Sequence, residues 1–313
     1  NLFDSEGTTG DVVLSMRNDV QETARDALGD RRGSVVALDP RTGEILALWS
    51  TPSYDPNLLA GHDQKAVKDA YTKLLDDDSR PLENRAISGR LYPPGSVFKL
   101  VTAAAALESG EFEPDTEVEG PAKLTFPGQT YTLPNDFSGA GSPNGKITLS
   151  DALKISCNTA FGSVGMAVGE SAMLEQTAKF GSGEKLRIPL TVTPSVFPAG
   201  LGQSQLAQTS IGQFEVRVSP LQIAMVSSAI ANDGVLMKPQ LVSRVLAPDL
   251  TVMSRPSAEE LGRAVSRGTA AKLTTMMQAV VGPGGTGTRA RIDGIEVAGK
   301  TGTAEQGEGR PPN

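Results

Sequence analysis

Residues 92–109 read Tyr-Pro-Pro-Gly-Ser-Val-Phe-Lys-Leu-Val-Thr-Ala-Ala-Ala-Ala-Leu-Glu-Ser, and Gly110 follows. From Ser96 onwards this stretch is apolar on nearly every side, which predicts an α-helix buried in the middle of the protein. Ser96 and Lys99 stand three residues apart at its start, so their side chains share one helix face. A lysine on a helix without a polar face must either reach out to solvent or lose its water.

The serine–lysine pair allows a structural and a chemical interpretation. Serine after Pro-Pro-Gly is a common helix N-cap, and this role for Ser96 stays open. Burial, however, lowers the pKa of a lysine because it disfavours the charged form, and a neutral Lys99 can take the proton from Ser96. The N-terminus of a helix also offers N–H groups that stabilise an oxyanion. Ser96 and Lys99 are therefore candidates for a nucleophile and its general base.

Two further short patterns follow in order along the chain. Ser156-Cys-Asn158 lies in a predicted break between two helices. Lys300-Thr-Gly-Thr303 lies in the stretch from Gly294 to Glu305, whose alternation predicts a strand. Either pattern alone recurs by chance, but in this order after the serine–lysine pair they form a specific signature.

With these motifs the chain resembles the penicillin-recognising serine acyltransferases. More narrowly, it resembles the transpeptidase domain of class B penicillin-binding proteins of the actinobacterial penicillin-binding protein A type. The resemblance runs along nearly the whole chain, and supporting stretches include Gly33–Leu48, Pro52–Asn57, Ile211–Gln213 and Pro220–Met225. It implies a single transpeptidase domain over residues 1–313, with a lead-in helix in residues 1–32. The implied fold is mixed α+β, an antiparallel sheet flanked by helices plus a mostly helical lobe that carries Ser96 and Ser156.

The resemblance also implies roles for the motif residues. Ser96 would be the nucleophile acylated by the penultimate D-alanine of a peptidoglycan stem peptide, with Lys99 as its base. Ser156 would relay a proton to the departing amine, and Asn158 would hold Lys99 and the amide of the acyl group. Backbone N–H groups of Ser96 and Thr303 would form the oxyanion hole. The terminal carboxylate of the substrate would bind Lys300, Thr301 and Thr303, and Gly302 would leave space for the substrate.

The resemblance further implies partners and a location. The partners are stem peptides ending in D-Ala-D-Ala, β-lactam antibiotics, and proteins of the divisome or of cell-wall elongation; no cofactor is implied. The location is the outer face of the cytoplasmic membrane, through an anchor absent from this chain. The family continues after its Lys-Thr-Gly motif with two strands and a long helix, whereas ten residues follow Thr303. We therefore expect the chain to be part of a longer protein.

Composition argues against several other classes of protein. The 313 residues carry 29 Lys and Arg against 36 Asp and Glu, a net charge of −7, and no basic cluster stands out, which disfavours nucleic acid as a partner. One cysteine and one histidine leave no cluster with metal-ligand spacing, so we predict no metal. No apolar run approaches the roughly 18 residues that a membrane-spanning helix needs.

Three isolated signals have simpler explanations. Residues 282–287 satisfy G-x-G-x-x-G, but a helix is predicted before them and a strand after, the reverse of a dinucleotide site, so we predict a turn. His62 has no G-x-S-x-G elbow to serve, and we expect it on a surface loop. Cys157 is expected to be a small buried residue.

Hydrophobic periodicity predicts the remaining elements. They are an amphipathic helix over Leu14–Leu28, a β-hairpin from Gly33–Asp39 and Glu44–Ser50, loops with short strands over Gly120–Gly145, and helices over Thr148–Ile155, Pro220–Ala231 and Thr269–Val281.

Related activities remain as alternatives. A serine β-lactamase shares the three motifs, but no Glu-x-x-Leu-Asn segment for class A deacylation is present. A D,D-carboxypeptidase differs only in using water as the acyl acceptor, which spacing does not settle. A non-catalytic β-lactam sensor could also keep the motif residues.

Overall fold

The computed structural model describes residues 10–136 and 145–304. Its α-helices are α1 (Asn18–Leu28), α2 (Gln64–Leu75), α3 (Lys99–Glu108), α4 (Leu149–Lys154), α5 (Asn158–Lys179), α6 (Gln203–Thr209), α7 (Pro220–Ala231) and α8 (Arg267–Val281). Its strands are β1 (Asp11–Leu14), β2 (Gly33–Leu38), β3 (Ile45–Thr51), β4 (Glu117–Glu119), β5 (Lys123–Thr125), β6 (Thr132–Pro134), β7 (Lys146–Thr148), β8 (Val235–Met237), β9 (Val242–Leu246), β10 (Val252–Ser254) and β11 (Glu260–Arg263). Short 3-10 helices cover Pro56–Leu59, Gly95–Phe98 and Thr288–Ala290.

The helix α3 forms the centre of the molecule, as the sequence predicts. Every residue from Lys99 to Leu107 is buried, and the helix packs against α5 and α8. The run of alanines favours a helix and lets neighbouring helices approach closely. The regular helix begins at Lys99, because Gly95–Phe98 forms a tighter 3-10 turn ahead of it. Ser96 therefore stands one turn before the α-helix and not at its N-cap.

The strands pair antiparallel in small sheets within the described ranges. β1, β9 and β10 form a three-stranded sheet, and β2–β3, β4–β7, β5–β6 and β8–β11 form pairs. The predicted β2–β3 hairpin is confirmed, with Gly33 opposite Thr51 and Leu38 opposite Ile45. It packs against α1 and α7. The mixed α+β fold with a mostly helical lobe is thus confirmed.

The start of the predicted N-terminal helix is wrong. The helix predicted from Leu14 begins at Asn18, because residues 11–14 pair with β9 instead. The side chain of Ser15 donates to the carbonyl oxygen of Ile45, which ties the chain to the hairpin before the helix can start. The N-terminal part is therefore a strand followed by a helix. Its membership of one domain over residues 1–313 stays a prediction.

The strand predicted over Gly294–Glu305 is also wrong. Residues 294–304 form no strand, and Glu305 lies outside the described residues. Only an isolated bridge between Ile292 and Ile295 occurs there. The N–H of Gly299 donates to the carbonyl oxygen of Met277 in α8, 3.2 Å away. Alternation predicts a strand only where another strand lies alongside, and none of the described strands pairs with this segment.

The break predicted between two helices is confirmed. α4 ends at Lys154 and α5 begins at Asn158. Ser156 has a φ of +61°, a left-handed conformation that reverses the chain, and the N–H of Cys157 donates to Ala152 O at 2.8 Å. α5 is itself interrupted at Gly169, whose φ is +82°. No described helix has the length and apolar character required to cross a lipid bilayer.

Candidate active site

The turn that carries Ser96 is held by close backbone contacts. Gly95 has a φ of +55°, and its N–H donates to the carbonyl oxygen of Gly212 at 2.9 Å. A Cβ atom at Gly95 would stand 2.1 Å from the carbonyl oxygen of Thr303. Likewise, a Cβ at Gly302 would stand 2.9 Å from Val97. Glycine is therefore needed at both positions for the segment 302–304 to lie beside Ser96.

The packing at Gly95 gives a stability prediction with an internal control. We expect Gly95→Ala to lower the free energy of unfolding by about 1–2 kcal/mol for its left-handed backbone and by about 1–3 kcal/mol more for the clash with Thr303. Gly110→Ala, also at positive φ but with nothing within 4 Å of its added methyl, should cost only the backbone contribution. Urea unfolding of both variants measures the difference, and equal losses would contradict the prediction.

Lys99 has four polar atoms around its amine. Its Nζ lies 2.9 Å from Ser96 Oγ, 2.6 Å from Asn158 Oδ1, and 2.7 and 3.1 Å from the carbonyl oxygen and Oγ of Ser156. The side chain is fully buried, with 0% of its surface exposed. It does not reach out to solvent, so the desolvated alternative from the sequence holds.

Burial lowers the pKa of Lys99 well below its ordinary value, and the nearby cation of Lys300 lowers it further. Asp136 and Cys157 act in the opposite direction. A neutral amine has two N–H donors and one lone pair. The carbonyl oxygens of Ser156 and Asn158 can only accept, so they take the two hydrogens. The lone pair is then left for a hydroxyl proton, and Ser96 Oγ is within reach.

Lys300 also contacts the hydroxyl of Ser156. Its Nζ donates to Ser156 Oγ at 2.9 Å and to the carbonyl oxygen of Thr301 at 2.9 Å. Burial lowers the pKa of Lys300 to about 8, against the opposing effect of Asp136. The positive charge of Lys300 therefore predominates at pH 7 and is lost above about pH 8. The Ser156 hydroxyl lies between the two amines.

Thr301 is held by a residue that the sequence analysis assigns only to a turn. Thr286 Oγ1 lies 2.7 Å from Thr301 Oγ1, and the N–H of Thr286 donates to Lys154 O at the end of α4. The glycine-rich residues 282–287 do follow a helix, as predicted. They hold the Lys300 segment against α4, a contact for which no motif in the sequence is a signal.

Asn158 is held by a second segment that carried no sequence signal. Its Nδ2 donates to Pro134 O at 3.2 Å and to Asp136 Oδ1 at 3.0 Å. The predicted surface and core residues lie as expected: His62 is exposed and Cys157 is fully buried with a free thiol. The part of the chain that the structure describes brings no group of three His, Cys, Asp or Glu side chains together as metal ligands.

The structure brings five predicted site residues into one hydrogen-bonded cluster: Ser96, Lys99, Ser156, Asn158 and Lys300. A serine and a lysine at the start of a buried helix, joined by a Ser-x-Asn break and a Lys-Thr-Gly segment, define a site of the penicillin-recognising serine acyltransferase type. The site can move a hydroxyl proton to a neutral amine without histidine or metal.

Comparison with known proteins narrows this class. A family model described as the penicillin-binding protein transpeptidase domain matches residues 33–312. The chain therefore belongs to the penicillin-binding protein transpeptidase family, and the resemblance found in the sequence is confirmed.

The chain is similar to several characterised members. It is 44% identical to the peptidoglycan D,D-transpeptidase PbpA of Mycolicibacterium smegmatis, over 95% of this chain and 61% of that protein. It is 39% identical to PbpA of Mycobacterium tuberculosis, over 97% and 62%. The structure of penicillin-binding protein A from M. tuberculosis as a ceftriaxone acyl-enzyme complex superimposes with a TM-score of 0.90 at 38% identity, covering 97% of this chain and 69% of that one. The chain thus spans about three fifths of the length of these curated relatives.

Proposed function

We propose that this protein is a peptidoglycan D,D-transpeptidase that works through a serine acyl-enzyme and is acylated by β-lactams. The observation that carries the proposal is the contact of 2.9 Å between Ser96 Oγ and a fully buried Lys99 amine, whose burial lowers its pKa. The names of the PbpA relatives and the acyl-enzyme structure of penicillin-binding protein A support it.

In the proposed reaction, Lys99 accepts the proton of Ser96 as Oγ bonds to the carbonyl carbon of the penultimate D-alanine. The N–H groups of Ser96 and Thr303 receive the negative charge on the carbonyl oxygen. The amide C–N bond then breaks, and the departing D-alanine takes a proton from Lys99 through the Ser156 hydroxyl. The amine of a second stem peptide then attacks the carbonyl carbon of the acyl-enzyme. The ester C–O bond to Ser96 Oγ breaks, and the proton lost by the amine passes through Lys99 to Ser96 Oγ, which leaves the amide cross-link and frees Ser96.

The remaining site residues bind the substrate in this proposal. Asn158 holds Lys99 and the amide of the acyl group. Lys300, Thr301 and Thr303 bind the terminal carboxylate, since a cation and hydroxyl donors suit a carboxylate. Gly302 keeps this segment close to Ser96, and it leaves space for the substrate to lie along the segment. We further propose the outer face of the cytoplasmic membrane as the location and proteins of division or elongation as partners.

The test separates the transpeptidase from its alternatives. The protein is incubated with a D-alanyl-D-alanine peptide or thioester together with an amine acceptor, and the products are separated by mass spectrometry. An amide between donor and acceptor supports the proposal. Free acid alone would indicate a D,D-carboxypeptidase, and a lasting adduct without turnover would indicate a β-lactam sensor; either would overturn it.

The lowered pKa of Lys300 predicts how acylation depends on pH. The cation is present below about pH 8 and is lost as the pH rises through that value. Acylation by benzylpenicillin, which carries a carboxylate, should therefore fall by roughly tenfold per pH unit above pH 8. Lys300→Arg keeps its charge at every accessible pH and should carry its activity to higher pH.

Second-order acylation rates from pH 6 to pH 10 measure this dependence for both proteins. A wild-type rate that stays flat up to pH 10 would show that the Lys300 charge is not used. The same would follow if Lys300→Arg declined at the same pH as the wild type.

A further inference from the structure

The segment that follows β6 is fixed to the start of α5. Asn135 Oδ1 accepts from the N–H of Thr159 at 3.1 Å, and Asn135 Nδ2 donates to Thr159 Oγ1 at 3.1 Å. Pro134 O and Asp136 Oδ1 accept the two hydrogens of the Asn158 amide. The backbone next to Asp136 is therefore held to α5 by the hydrogen bonds of Asn135.

Two acceptors, Pro134 O and Asp136 Oδ1, face the nitrogen of the Asn158 amide. With both N–H groups directed at Pro134 and Asp136, Asn158 Oδ1 faces Lys99 Nζ at 2.6 Å. A flipped amide would place its oxygen against a carboxylate and a carbonyl oxygen, and its N–H groups against an amine. The carboxylate makes the observed orientation strongly preferred, because an ionised acceptor binds an N–H about twice as strongly as a neutral one.

Asp136 also brings an anionic charge close to Lys99 and Lys300. Within residues 10–136 and 145–304, the titratable groups facing Lys99 are Lys300, Asp136 and Cys157, and the charged group acting on Lys300 is Asp136. Its field raises the pKa of Lys99 and of Lys300 against the effect of burial. The Asp136 carboxylate thus acts on both lysines. One is Lys99, the proposed base, and the other is Lys300, which is proposed to bind the carboxylate of the substrate.

We propose that Asp136 is a positioning residue of this site, which orients the Asn158 amide towards Lys99 and supplies a negative charge beside Lys99 and Lys300. The inference rests on the proposed function, since it assigns a part in the acylation of Ser96. Asp136 acts through Asn158 and through its charge, and it forms no bond to the substrate.

The test is the pH profile of benzylpenicillin acylation for the wild type and Asp136→Asn. An asparagine keeps an oxygen that accepts from Asn158 and removes the charge. Its acid limb, set by Lys99, and its alkaline limb, set by Lys300, should both move to lower pH by about half a unit to one unit. Asp136→Asn should then acylate faster than the wild type on the acid limb and more slowly on the alkaline limb, a crossover that misfolding does not produce.

Two control variants accompany it. Asp249→Asn makes the same change of charge in the β9–β10 turn, where the carboxylate accepts from Thr251, and should leave both limbs in place. Asp136→Ala also removes the acceptor for Asn158 and should lower the maximum of the profile in addition to moving it.

The outcomes distinguish this inference from the proposed function. A wild type that benzylpenicillin does not acylate would overturn the proposed function. If the wild-type profile has two limbs and those of Asp136→Asn lie at the same pH values, the inference alone would be overturned, whatever the maximum rate of the variant. Movement of both limbs in Asp136→Asn but not in Asp249→Asn supports it.

Discussion

Ser96→Ala is expected to abolish covalent labelling by a fluorescent penicillin. The proposed acyl-enzyme forms on Ser96 Oγ, the hydroxyl that faces the lone pair of Lys99 at 2.9 Å. Removing a nucleophile of this kind lowers the rate of covalent labelling by at least about 10⁴-fold, because the remaining groups bind the ligand without forming a covalent bond. The substitution removes one oxygen from a buried turn and should leave the fold intact.

The matched control is a serine at the other end of α3. Ser109, which follows α3, donates its hydroxyl to Ala106 O and is far along the helix from Lys99, so Ser109→Ala should be labelled like the wild type. Gel fluorescence and peptide mass mapping provide the measurement. Labelling that survives in Ser96→Ala, or an adduct mapped to Cys157 or another residue, would refute the assignment of the nucleophile.

Lys99→Met and Lys99→Arg are expected to lower the acylation rate by about 10² to 10⁴-fold, the usual contribution of a positioned general base. Methionine fills a similar volume and has no lone pair of useful basicity. Arginine keeps N–H donors for Asn158 Oδ1 and Ser156 O but remains protonated, so it cannot accept the Ser96 proton. Slow acylation by both variants would show that Lys99 is needed to accept a proton and not only to donate hydrogen bonds.

Stopped-flow acylation with a chromogenic cephalosporin, together with thermal unfolding, measures these effects. Lys99→Met leaves two carbonyl oxygens without a donor, a loss of about 1–3 kcal/mol each, but it also removes a buried amine that has to be desolvated. A folded Lys99→Arg protein that acylates within tenfold of the wild-type rate would show that Lys99 does not act as the base.

The central helix and the contact between Ser96 and Lys99 could be predicted from the sequence because both depend on local pattern. An apolar run with a lysine three residues after a serine fixes which face the two side chains share, and burial follows from the absence of a polar face. The break at Ser156 was likewise predictable, since helical periodicity stops on one side of it and resumes on the other. These are properties of neighbouring residues, which a single sequence displays directly.

Contacts between distant residues could not be predicted. Asp136 and Thr286 lie in loops rich in glycine, proline and polar residues, and their roles depend on where the chain returns in space. The segment of Lys300 alternates like a strand, yet its backbone bonds to α8. The lowered pKa of Lys300 also depends on burial by residues far away in sequence.

The backbone around Ser96 joins stretches of chain that are far apart in sequence. The Gly95 N–H binds Gly212 O, and the carbonyl oxygen of Thr303 lies where a Cβ atom on Gly95 would stand. Closing such long loops has an entropic cost that the completed tertiary structure alone can offset. A molecule whose late segment has detached would keep its helices and its circular dichroism, yet its reactive hydroxyl would lose its neighbours. Under the proposed function, reaction with a penicillin therefore counts native molecules in a preparation more stringently than a spectroscopic measure of helix content.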